Sequence, residues 1–117
     1  MLRRIAMNSP LHGRLLADIP QPGSAEAFDT LLAQPGLRIE RIVSHGHASP
    51  PGFWYDQTED EWVMVLRGNA AIGFEDGREV ELAAGDWVFL PAHCRHRVLR
   101  SAAPTVWLAV FAGADAA

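Results

Sequence analysis

From Leu37 to Phe111 the chain alternates short runs of aliphatic, aromatic and β-branched residues with turn formers, a rhythm that few architectures accept. The runs are Leu37–Val43, Trp62–Leu66, Ala70–Glu75, Val80–Leu82, Trp87–Leu90, Arg97–Leu99 and Val106–Phe111. They read as strands at period two, and residues such as Ala84-Gly85 and Ala103-Pro104 separate them. Asp76-Gly77, just after the third run, predicts a two-residue hairpin turn, because both central positions of such a turn favour positive φ. Seven strands with turns about every ten residues predict an all-β antiparallel sandwich or barrel.

Before Gly36 the pattern differs. Pro10, Gly13, Pro20, Pro22 and Gly23 interrupt any regular element over residues 1–23. Ser24 then caps a predicted short helix with Phe28, Leu31 and Leu32 on one face, stopped by Pro35-Gly36. The expected division is an arm with a short N-terminal helix, residues 1–36, and a barrel, residues 37–117.

Two strands are apolar on both faces. Along Glu61–Leu66 one face carries Glu61, Val63 and Val65 and the other Trp62, Met64 and Leu66, and Val106–Phe111 repeats the pattern. A wall facing only solvent has no use for the second set. Either the N-terminal helix covers it, or two copies pair through it. A helix this short cannot cover a whole sheet, so a homodimer is expected.

Composition narrows the partners. With 117 residues, 49% of them hydrophobic, the chain has material for one core. A formal net charge of −4 gives no electrostatic footprint for nucleic acid or an anionic membrane. All ten basic residues are arginine, which excludes Schiff-base chemistry on a lysine. Cys94 is the only cysteine, so no intrachain disulfide can form. The first residues lack the apolar run of a signal peptide, and no stretch approaches the ~20 apolar residues of a membrane-spanning helix. A cytoplasmic protein is expected.

Two stretches carry the chemistry. Gly85-Asp86-Trp87-Val88-Phe89-Leu90-Pro91-Ala92-His93-Cys94-Arg95-His96 sets a glycine, five residues, a proline and, five positions on, a histidine. Upstream, Glu61 is followed after six residues by Gly68. These resemble the second motif of the cupin superfamily, Gly-(x)5-Pro-x-Gly-x-x-His, and the end of its first, His-x-His-(x)3–4-Glu-(x)6-Gly. Every position of the second motif fits except that His93 stands where the family has glycine. The resemblance implies a single cupin barrel, a small antiparallel jelly roll, whose motif histidine is commonly a metal ligand. The His-x-His pair is missing. Counting back from Glu61 meets Trp54, Tyr55, Asp56 or Gln57, and the run Pro50–Gln57 is similar to a group of small bacterial cupins with an aromatic-Asp-Gln segment in that place.

Glu61 shares a strand face with Val63 and Val65, and His96 with Val98, so both side chains are expected to point into the barrel. A carboxylate among apolar walls is costly unless protonated or paired with a cation. With a neutral imidazole beside it, the pair is either part of a divalent-metal site or a buried Glu–His hydrogen bond without metal. On the resemblance, Glu61 and His96 hold the metal and Gln57 or Asp56 adds an oxygen donor, a mixed set that Fe, Mn, Ni and Zn all tolerate. His93, at the mouth, is a further ligand, a general acid/base or an exposed turn residue. Trp54, Tyr55 and Asp56 are candidate substrate contacts, the rings stacking on a small planar or carboxylated molecule.

His45-Gly46-His47 is a true His-x-His, but it lies thirteen residues before Glu61 and is expected in a loop outside the barrel. Cys94 reads as a structural thiol, with no helix N-terminus or base evident to lower its pKa. Arg95, Arg97 and Arg100 face outward or line the rim. Three functions remain open: a metal-dependent enzyme on a small organic substrate, a ligand-binding or sensing module without turnover, and a metal-free structural dimer.

Overall fold

The computed structural model describes residues 9–114 and 116. Residues 1–8, expected above not to form a signal peptide, lie outside the described residues. Eight strands follow one another: β1 (Ala27–Gln34), β2 (Leu37–Ser44), β3 (Asp60–Arg67), β4 (Asn69–Phe74), β5 (Glu79–Ala83), β6 (Trp87–Leu90), β7 (His96–Ser101) and β8 (Thr105–Ala112). Every pairing is antiparallel. A five-stranded sheet in the order β1-β2-β8-β3-β6 packs on a three-stranded sheet in the order β5-β4-β7, the two walls of a small barrel. No helix occurs among the described residues, hence none long and apolar enough to cross a membrane.

The segment expected to be helical forms β1 instead. Its spacing of Phe28, Leu31 and Leu32 mimics a helical face because the strand carries a β-bulge. Thr30 pairs with Glu40 and Leu32 with Ile39, which leaves Leu31 without a partner and shifts the alternation by one residue. The barrel sheet therefore begins at Ala27, inside the stretch read as arm. The β4–β5 turn also departs from expectation. Phe74 O accepts from Gly77 N at 2.9 Å, Phe74 N donates to Arg78 O at 2.9 Å, and only Gly77 takes positive φ, at 92°. This is a three-residue loop closed by a left-handed glycine, which follows when only one of the two central positions can adopt that conformation cheaply.

The core lies between the sheets. Ile42, Val63, Val65, Trp107, Ala109 and Phe111 from the larger sheet meet Ala70, Ile72 and Leu82 from the smaller one. Alternation is strict along β3, where Glu61, Val63 and Val65 are buried and their neighbours only partly so. Gly68 closes the turn out of β3 at φ 89°, and a Cβ there would sit 2.5 Å from Pro104 O and 2.8 Å from Thr105 Oγ1. The motif glycine is thus a site of close backbone approach that no side chain fits.

The arm covers part of the outer face. Arg41, 9% exposed and pointing away from the core, donates to Leu15 O, Ala17 O and Asp18 O and pairs with Asp29 at 2.7 Å. Four acceptors for one guanidinium explain how an arm without secondary structure stays on the sheet.

Candidate functional site

Side chains on the inner faces of β2, β3, β7 and β8 enclose a cavity of about 200 Å³. Its walls are apolar, with Ile42, Val63, Ile72, Leu90 and Val98 joined by the rings of Phe28, Tyr55, Trp107 and Phe111. Glu61 and His96 meet at its polar end. They are 8% and 5% exposed, and His96 Nε2 stands 3.9 Å from Glu61 Oε1, too far for a hydrogen bond. The inward parity expected for both is what the sheet delivers.

The tautomer of His96 follows from its partner. Nδ1 lies 2.8 Å from Cys94 O, which can only accept, so Nδ1 carries the proton and Nε2 turns its lone pair to the cavity. Burial holds this imidazole below its ordinary pKa, opposed by the Cys94 hydrogen bond. Burial pushes the Glu61 carboxyl up to about 7; the Glu40 and Glu59 carboxylates add to the rise, while Arg38 and the Gln57 amide oppose it. Burial and the carboxylates of Glu26 and Glu61 raise the Tyr55 phenol as well.

Tyr55 and Gln57 reach the cavity because their segment runs antiparallel to the start of β7. Tyr55 N donates to His96 O at 2.7 Å, His96 N donates to Tyr55 O at 3.2 Å, and the two rings stack at 5.3 Å between centroids. His93 N donates to Gln57 O at 2.7 Å, which fixes the other end. Alternation then sends Trp54 and Asp56 to the opposite side. Neither lines the cavity: Asp56 accepts from His93 at 2.7 Å, and Trp54 lies about equally between Arg95 and Arg97, 6.0 Å from each. Of the three residues named as substrate contacts, only Tyr55 is in place to be one.

His93 is also separated from the Glu61–His96 pair. It takes φ 62°, the left-handed conformation that explains the family's glycine at this position, and its ring is two-thirds exposed beside Asp56. Asp60 steadies the preceding turn by accepting from Ala92 N at 2.8 Å. Among the described residues no three His, Cys, Asp or Glu side chains converge as a metal site would require. The His45 and His47 rings lie outside the barrel, with Nε2 atoms 2.8 Å from Pro20 O and 2.9 Å from Gly23 O, where they pin the arm.

Three acidic or basic residues of the cavity escaped the sequence reading: Glu26, Arg38 and Glu40. Arg38 and Glu40 alternate with Ile42 on β2, so strand parity alone points to them. Glu26 precedes β1 and has no such signal. Arg38 donates to Glu40 at 2.8 Å, to Glu59 at 3.0 Å and to Ala116 O at 2.6 Å, and lies 4.1 Å above the Phe111 ring. Ser44 links Glu26 to Trp107: its hydroxyl donates to the carboxylate and accepts from the indole at 3.1 Å. A larger cavity, about 730 Å³, lies under the arm against β1, β2 and β8, but its buried charge, Arg41, is fully engaged.

Comparison with known proteins accords with this architecture. The sequence profile of the Cupin domain family matches residues 40–111, which includes Glu61, Gly68 and the whole Gly85–His96 stretch. The chain belongs to the cupin family. A protein of Ralstonia eutropha JMP134 that bears the provisional name mannose-6-phosphate isomerase is 53% identical, with 90% of this chain and all of that one aligned at a TM-score of 0.85. A cupin superfamily protein of Desulfitobacterium hafniense DCB-2 aligns at 0.71 with 19% identity over 96% of this chain and 97% of its own. A DMSP lyase of Ruegeria pomeroyi DSS-3 aligns at 0.66 with 21% identity over 86% of this chain and 55% of its own, a likeness of fold. No curated protein matches the sequence. Metal and small-ligand binding are common among cupins.

Proposed function

We propose that this cupin barrel binds a small organic molecule and that Glu61 and His96 exchange a proton with it. The observation that carries the reading is the polar end of the cavity: a carboxyl held near neutral pKa faces, across 3.9 Å, the free lone pair of a neutral imidazole. An acid or base works best when its pKa lies near the ambient pH, and buried groups so tuned cluster at functional sites. Glu61 serves as the acid/base. His96 Nε2 accepts a hydrogen bond from the bound molecule or takes its proton, and Tyr55 and Gln57 orient it.

The name of the Ralstonia protein would bring a sugar phosphate to this site. The cavity offers such an anion little, since Glu26, Glu40 and Glu61 line it against a single arginine already engaged by two carboxylates. Nor do the donors suit a resident divalent metal. Glu61 and His96 are two strong ligands and Gln57 a weak one, against the three protein ligands usual for a catalytic zinc, and His93 bonds Asp56 instead.

Ligand-observed NMR with a library of small fragments tests the reading. Fragments that bind one site are expected to lose affinity in Glu61→Gln and His96→Gln, and those with an acidic C–H bond are expected to exchange it in heavy water at a rate that Glu61→Gln abolishes. Binding without exchange would reduce the site to a binding module. Binding indifferent to both substitutions would place it elsewhere and overturn the proposal.

A further inference from the structure

The nature of the ligand follows from which hydrogen-bonding groups the cavity leaves free, given the reading above that the barrel holds a small organic molecule. Donors are scarce. The His96 N–H is engaged by Cys94 O, the Trp107 N–H by Ser44, and the Arg38 guanidinium by Glu40, Glu59 and Ala116 O. What remains is the Tyr55 hydroxyl, one N–H of Arg38 and the Gln57 amide, which already bonds Glu61, and the chain has no lysine.

Acceptors and negative charge are in excess. His96 Nε2 has no partner within hydrogen-bond distance, and the Glu61 carboxyl has no cation on it; both side chains are at least nine-tenths buried. Glu26 takes one hydroxyl, from Ser44, and the phenol of Tyr55 feels the field of Glu26 and Glu61 together. The remaining wall is aromatic, and ring faces attract positive charge.

We propose that the ligand is a small organic cation, an alkylammonium or its close chemical equivalent, seated between Glu26 and Glu61 against Tyr55 and Trp107. Its N–H groups supply the donors the cavity lacks, its charge answers the unpaired carboxylate, and its carbon skeleton fills the aliphatic end. At protein packing density, 200 Å³ accepts roughly ten non-hydrogen atoms at most, which limits the class to small amines.

Calorimetric titration of the full chain with isopentylammonium, isopentanol and isovalerate tests this, because the three share one branched skeleton and differ in charge. The ammonium is expected to bind about tenfold or more tighter than the alcohol, the scale of one charge-assisted hydrogen bond, and the carboxylate not measurably. Glu61→Gln and Glu26→Gln should each weaken the ammonium about fivefold more than they weaken the alcohol. Glu26 is at the rim, so its variant keeps the test available should Glu61→Gln fold poorly. Alcohol or carboxylate binding as tightly as the ammonium would overturn the cation assignment while leaving a binding barrel. Failure of all three, with the fragments of the preceding test still binding, would overturn the cation assignment alone; failure of every probe would overturn both.

Discussion

At Glu61 the folded chain keeps a proton that the unfolded chain gives up at lower pH. The carboxyl is raised from 4.5 to about 7, so this group destabilises the fold progressively as pH climbs through that window and no further above it. Glu61→Gln removes the penalty. Its stability relative to wild type should be unchanged near pH 4 and should grow to at most about 3 kcal/mol at pH 8. His96 acts with the opposite sign: its lowered pKa costs stability as pH falls below its ordinary range, and that cost is common to both proteins. Urea denaturation at pH 4, 6 and 8 measures the difference, and a gap constant across the three would refute this account. Residue positions of this kind were legible in sequence where strand parity governs them, as with Glu61 against Val63 and Val65. They were illegible where backbone conformation governs. The motif glycine that His93 replaces is the one trace of its left-handed φ, and nothing in the sequence says that its ring turns to Asp56.

Among the elements, β1 and the arm taught most. The β1 sequence suits a helix by spacing, and only the bulge at Leu31, a consequence of pairing with β2, reconciles that spacing with a strand. Local pattern cannot foresee a partner that arrives from elsewhere in the chain. The arm illustrates the same limit, since its carbonyls are held by Arg41, His45 and His47 rather than by neighbours in sequence. Arg41→Met should free it. Trypsin cleavage after Arg14 is then expected to accelerate about tenfold or more, while the eight strands keep their circular-dichroism signature; losing several charge-assisted hydrogen bonds costs at least that much. Equal cleavage rates in the two proteins would show that the arm is held by something other than Arg41.

The whole molecule presents one outer face in two states. Over β1, β2 and β8 the arm shields it, whereas at β3 and β6 Trp87 and Phe89 are 59% and 50% exposed, with Trp62 6.0 Å from Trp87. Isolated apolar residues need no partner, but an aromatic cluster of this kind beside Met64 is what self-association would use. A homodimer is expected by light scattering at tens of micromolar, and Trp87→Glu should return the monomer mass. A wild type that is monomeric at that concentration would sink the expectation. The barrel class and seven of the eight strands were legible because periodicity and turn residues are local signals; the pairing order was not, because it rests on contacts between distant segments. The stitch between residues 55–57 and 93–96 has a consequence of its own. It joins segments nearly forty residues apart, and a chain with this seam open has a cavity without its Tyr55 and Gln57 wall. Whatever binds against Tyr55 and Gln57 therefore stabilises the chain with this seam closed over the chain with it open, and so holds the two segments together.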